Sequence, residues 1–289
     1  MTSRTSPSRW WHYKRRFANI LMWVVAILAT LIAVTPLVLV MYHVTVQALP
    51  ALNWGFFTQM PKPIGEAGGG MLNAIVGTLI LIGLAGLFGL PFGILGGIYL
   101  AEFGNNRPAN VIRFTADVLA SVPSIVVGIL VYSLIVAHTK TFSALAGGFA
   151  LGMMMIPTVT RTTEEIVRMV PVSQREAALS LGASQVTTIF TVVMSAARGG
   201  VITGALLAIA RVAGETAPLM FTAGTSSFFS VNIKQPIASL PMEIFLRATA
   251  PYDVGHAQAW AGAFVLVVLV LILSIAARYA TRGRLRIVR

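Results

Sequence analysis

The 289-residue sequence is 56% hydrophobic and only 10% charged, more apolar than a soluble core requires, so it reads as a membrane protein rather than one or two soluble domains. A formal net charge of +12 and a pI near 11.1 do not make it a nucleic-acid binder, because the basic residues are dispersed around apolar runs instead of gathered on one stripe with stacking aromatics. The lack of cysteine excludes disulfides and thiolate metal sites, and His12, His43, His138 and His256 are scattered without metal-ligand spacing, so no metal, no bound cofactor and no catalytic residue is expected in this chain.

In chain order, Met1 to Arg16 is polar and basic with Trp10, Trp11 and Tyr13, a composition suited to anionic headgroups on the cytoplasmic side of a bilayer. Residues 18–42 are longer than a signal-peptide core and predict a retained first span, kinked near Pro36. Residues 44–72 read as an external loop that ends in Gly68-Gly69-Gly70, a flexible approach to the second span at 73–98. Within that span Gly89, Gly93 and Gly97 recur every four residues, a small-residue stripe against which another helix can pack closely. A third span is expected at 114–137, with Asp117 near its cytoplasmic end paired to a nearby arginine and Pro123 bending it.

After a polar turn from His138 to Thr141, a fourth span is expected at 143–160, and the longest cytoplasmic segment starts at Arg161. The fifth span is placed at 199–223, a second external loop at 224–256 and a sixth span at 257–277, followed by the basic tail 278–289. With the N-terminus inside, 16 of the 21 Lys and Arg fall on cytoplasmic segments, four fall outside (Lys62, Lys140, Lys234, Arg247) and Arg211 is intramembrane. That asymmetry supports six spans with both termini cytoplasmic. The expected organisation is therefore all-α: residues 1–68, a transmembrane domain at 69–277 carrying a cytoplasmic segment at 161–198, and the tail.

Arg211 and Glu215 are the costly residues of the fifth span. A central Arg or carboxylate costs roughly 2.5–3.5 kcal/mol on insertion scales, so such residues face protein or a watery path. Four residues apart, they are expected on one helical face, either as a neutralising pair that locks the helix or as part of an anion path. Gly214 and Pro218 favour the path, since a thinned helix exposes backbone that lipid cannot satisfy.

In the cytoplasmic segment, Ser173 and Glu176 have capping-box spacing, Gly182 supplies a left-handed stop, and Ser184 starts a second short helix through Val193. A helix-turn-helix too short and polar to span suits docking into a partner's groove. No phosphate-loop motif is present, and none of the four lysines follows a glycine, so any ATP hydrolysis belongs to a partner.

Glu176-Ala177-Ala178 with Gly182 resembles the EAA loop of ABC importer permeases, which such proteins insert into their ATPase subunits; Ser195 stands where that pattern has proline. Arg211 through Pro218, with Arg161-Thr162-Thr163-Glu164, resembles the PstA-type permeases of bacterial phosphate importers, including the Ala217-Pro218 pair that PstC-type permeases lack. The resemblance runs from about Gly69 onward and takes in Val122-Pro123-Ser124-Ile125-Val126 and Ser239-Leu240-Pro241. It implies a type I ABC importer permease in the bacterial cytoplasmic membrane. Its implied partners are a PstC-type permease, two PstB-type ATPases that bind ATP and Mg, and a PstS-type phosphate-binding protein. By the same token Arg211, Glu215 and Arg161 line the substrate path, while Glu176, Ala177, Ala178 and Gly182 couple to the ATPase. A permease for another oxyanion (phosphonate, molybdate or sulfate), an intramembrane enzyme using Glu215, and a channel-like component stay as alternatives.

Overall fold

The computed structural model describes residues 9–63, 65–66 and 68–282, and these are helical and irregular with no strand among them. The leading residues 1–8 and the last seven of the basic tail, on which parts of the headgroup and tail readings rest, lie outside the described residues. The chain divides at Gln47/Ala48 into two units. The first is α1 (Arg9–Ala48), which runs on through Pro36 as one helix. Its stretch Lys14–Ala48 has a mean hydropathy of 2.8, and Leu21, Trp23 and Ile32 are exposed, as befits a helix apolar all round that meets lipid. Near its start the Lys14 ammonium sits 3.6 Å from the Trp10 ring centroid.

The second unit is built on α3 (Leu72–Glu102) and α6 (Ala144–Arg168), which run against each other along most of their length. The glycine stripe makes this possible: a methyl group on Gly89, Gly93 or Gly97 would sit 2.8, 2.6 or 2.5 Å from the Cβ of Met155, Val159 or Thr163. The expected close approach is thus present, and α6 is the helix that uses it. Leu81, Ala85, Leu151, Met155 and Val159 form the centre of the core, joined by Ala208, Val212 and Leu219 from later elements.

Before α3, the short α2 (Trp54–Thr58) is capped by the Asn53 side chain, which accepts from the Phe56 amide at 2.9 Å. The approach to α3 carries its own backbone bonds. The amides of Gly70, Met71 and Leu72 donate to Met60, Phe56 and Gln59, and Gly70 lies so close to the Gly55 carbonyl that a Cβ would be 2.4 Å from it.

The third expected span is two helices, α4 (Arg107–Ser121) and α5 (Ser124–Thr139), bent by 106° at the break. Pro123 has no N–H to donate and drives Val122 out of the helical region to φ −70°, ψ 131°, so the bend is sharper than a kink. The expected fourth span extends past Arg161 to Arg168 as part of α6. Among the described residues four helices are long and apolar enough to cross a membrane, or five with the bent pair counted as one, against the six expected; α6, rich in Gly and Thr and charged at its end, is not among them.

The supposed helix-turn-helix is a short α7 (Val172–Ser180) followed by a long α8 (Gln185–Val212). Ser184 caps α8 as expected, accepting from the Thr187 amide at 3.2 Å, but the helix does not stop at Val193. It passes through a π-helical stretch, Thr188–Val193, and with Ser195 in place of a proline nothing breaks it before Val212. The fifth span therefore begins far earlier than residue 199 and is cut at 213–216, after which α9 (Ala217–Thr222) follows. The second external loop contains a helix, α10 (Leu240–Ala248), and α11 (Asp253–Arg282) is the last span.

Candidate functional site

The break between α8 and α9 follows from Pro218. Its ring would clash with the Gly214 carbonyl in a continuing helix, whereas the first turn of a new helix accepts it. The chain turns through Ala213 and Gly214, with the amides of Gly214 and Glu215 donating to Arg211 and Val212. Arg211 and Glu215 consequently do not share a helical face. Glu215 lies beyond the helix end, and among the described residues no ion pair or side-chain hydrogen bond reaches either one. Arg211 is exposed in the last turn of α8, where the partial negative charge of the helix terminus favours a cation, and Glu215 is half-buried.

The backbone beneath these side chains is held firmly. Pro218 and Leu219 are buried, and Gly128 of α5 meets Pro218 so closely that a Cβ would be 2.7 Å from its Cα. Thr222 donates to the Pro218 carbonyl at 2.7 Å and accepts through its own carbonyl from the Ser143 amide at 3.0 Å. The break thus presents a rigid ledge bearing one free guanidinium and one free carboxylate.

Arg161 stands in a separate group at one end of α4 and α6. Its Nε donates to Asp117 Oδ1 at 3.1 Å and its Nη2 contacts the same oxygen, so the arginine expected to pair with Asp117 is Arg161 itself. The cation is permanent, and only a competing anion can release it. Next to it, the buried Glu164 accepts from Arg113 Nε at 2.9 Å and pairs with Arg168 Nη2 at 2.8 Å and Arg161 Nη1 at 3.7 Å. Arg113 also donates to the Gly104 and Leu100 carbonyls at the end of α3. No bond joins Arg161 to Arg211 among the described residues.

In α7, Ser173 is not a cap. Pro171 occupies that position at φ −57°, ψ 140° with no side-chain bond, so Ser173 is already inside the helix and cannot reach back to the amides a cap serves. The stop is as expected. Gly182 has φ +85°, its amide donates to Leu179 at 2.9 Å and the Ala183 amide to Ala178 at 3.2 Å, the paired bonds of a left-handed helix end. Glu176 and Ala177 are exposed, Ala178 is buried, and Val172, Leu179, Leu181 and Val186 leave apolar side chains uncovered around them.

Two further ion pairs were missed in the sequence, one between distant residues and one at i,i+4 within α10. Arg175 holds Glu102, and Arg247, one of the four charges placed outside, is only 3% exposed, where it pairs with Glu243 at 3.3 Å and meets Gln258. Gln258 in turn donates to the Gly68 carbonyl at 2.7 Å, tying α11 to the loop before α3.

Residues 93–286 match the family described as binding-protein-dependent transport system inner membrane component. The phosphate transport system permease protein PstA of Haemophilus influenzae is 42% identical over 267 residues, covering 92% of this chain and 94% of that protein. The protein of the same description from Yersinia pestis is 41% identical over 279 residues, covering 96% and 93%. A crystal structure of a bacterial ABC transporter involved in import of the acidic polysaccharide alginate shares the fold, with a TM-score of 0.63 at 14% identity over 97% of this chain and 99% of that one. The chain belongs to the family of binding-protein-dependent transport system inner membrane components.

Proposed function

We propose that this chain is a membrane-embedded permease subunit that moves inorganic phosphate inward across the bacterial cytoplasmic membrane, driven by ATP hydrolysed in a partner. The observation that carries this reading is the 42% identity to a phosphate transport permease across 92% of the chain. Its complete assembly would add a PstC-type permease, two PstB-type ATPases holding ATP and Mg, and a PstS-type binding protein on the outer face. Both termini of this chain would lie in the cytoplasm.

The side chains suit that task. Arg211 offers phosphate a planar fork of donors without a carboxylate already in place, and Glu215, one turn beyond the helix end, weakens the attraction without cancelling it. An anion held by one such cation leaves again, as conduction requires. Arg161, locked to Asp117, is a second cation that phosphate reaches only by displacing a carboxylate, which suits the inner exit. Glu176 and Ala177 lie on the face that docks on the ATPase, with Ala178 buried beneath them and Gly182 closing the helix.

The test is uptake of radiolabelled phosphate by cells lacking the native chain and supplied with it or with Arg211→Gln, after assembly with the ATPase is verified for both. Native protein is expected to restore uptake and Arg211→Gln to abolish it. Normal uptake by Arg211→Gln would remove that residue from the path, and no uptake by the native chain would remove phosphate as the substrate.

A further inference from the structure

We propose that Arg175 is the fastener through which α7 grips the transmembrane helices, a positioning residue that turns movement of α7 into movement of α3 and α6. This rests on the reading of α7 as the element that docks on the ATPase. A helix of nine residues attached only through its ends would swing about the Met169-Val170-Pro171 joint when pushed. Packing does little to prevent this, because Ala178 is its single buried residue.

Arg175 supplies the missing second point of attachment. Its Nη2 and Nε reach Glu102 Oε1 at 2.8 and 3.1 Å, Nη2 also donates to the Val167 carbonyl at 2.9 Å, and Nη1 donates to the Val170 carbonyl. One planar guanidinium therefore bonds the last residue of α3 and the carbonyls at the end of α6 together. The Val167 carbonyl already accepts from the Val170 amide at 3.2 Å, so Arg175 fills its second lone pair, and the Val170 carbonyl follows just past the helix end, where the dipole favours a cation. Glu102 is the complementary oddity: a carboxylate in the last turn of a helix opposes the dipole, and here it is 9% exposed, a position tolerable only with a cation against it. The planar fork fixes direction as well as distance, which a flexible ammonium would not.

The chain contains no cysteine, so the joint can be cut and rebuilt covalently. The assembled transporter with its ATPase and binding protein is reconstituted in liposomes, and phosphate moved per ATP hydrolysed is measured for the native chain, Arg175→Ala, and the double variant Glu102→Cys/Arg175→Cys before and after treatment with a short bismaleimide. Both variants are expected to hydrolyse ATP while the phosphate moved per ATP falls at least about fivefold, the lower end of ordinary coupling between sites. Cross-linking is expected to return the double variant to the native ratio. An unchanged ratio in Arg175→Ala, or a cross-linked pair that stays uncoupled, overturns the fastener. If cutting the joint prevents assembly, recovery of assembly and coupling on cross-linking supports it and failure to recover refutes it. A native complex without ATP-driven phosphate uptake would instead refute the transport reading, a different result from native coupling that ignores Arg175.

Discussion

Replacing Gly93 by alanine tests the seam on which the second unit is built. The new Cβ would lie 2.6 Å from Val159 Cβ and 2.8 Å from its Cγ1, where carbon atoms rest at about 3.5–4.0 Å. α3 and α6 must then separate or rotate along an interface many turns long, and overpacking of this kind costs about 1–3 kcal/mol. Alanine also stabilises a helix relative to glycine by roughly 0.5–1 kcal/mol, which masks part of that cost. Gly83 on the same helix isolates the two effects, because nothing lies within 4 Å of its Cβ position. The difference between Gly93→Ala and Gly83→Ala is therefore the clash alone. The assay heats the purified complex in detergent and follows the fraction that remains monodisperse by size exclusion. Gly83→Ala is expected at or above the native midpoint and Gly93→Ala below it. A midpoint for Gly93→Ala equal to that of Gly83→Ala would refute the close seam.

Two further substitutions separate buried from exposed determinants. Glu164→Gln leaves Arg113 and Arg168 without their carboxylate. The expected cost is about 1–3 kcal/mol, less than a fully buried pair because Arg168 is half exposed, whereas Asp117→Asn at a 58% exposed side chain is expected to cost about 0–1 kcal/mol; reversing that order in thermal midpoints would contradict the cluster. At Gly182, φ +85° with open space around the Cβ position makes the penalty of alanine purely one of backbone, about 1–2 kcal/mol, read as faster amide hydrogen exchange at residues 178–184. Exchange no faster than native would show that the left-handed stop is not what holds the end of α7.

What was legible in the sequence is what local rules control. Gly89, Gly93 and Gly97 announced a close helix contact because four-residue spacing is a property of the helix itself, although only the fold identifies Met155, Val159 and Thr163 as the residues opposite. Pro123 and Gly182 acted where they stand, for the same reason. Ser173 misled because its spacing to Glu176 is right but Pro171, two residues earlier, already caps the helix, so the chain enters α7 two residues too soon for the hydroxyl to serve. Arg211 and Glu215 misled in the opposite sense, their i,i+4 spacing being meaningful only while the helix lasts, and Pro218 ends it between them.

The remaining determinants bridge distant parts of the chain. Arg113 and Glu164 are 51 positions apart, and Arg175 and Glu102 are 73 apart, so no periodicity relates them. Each can be approached from its cost instead. Glu102 closes an apolar helix with the wrong charge for its terminus, and Glu164 lies on a face that helix periodicity makes continuous with Thr160 and Val167, both buried. A charge placed where solvation and the helix dipole both oppose it requires a partner, even when sequence distance hides which one. By that criterion Arg211 differs from three arginines of the described residues. Arg113, Arg175 and Arg247 answer buried carboxylates and hold helices together, whereas Arg211 has no carboxylate within bonding reach on a backbone that is itself fixed. On the proposed reading, that leaves the Arg211 guanidinium available to an anion.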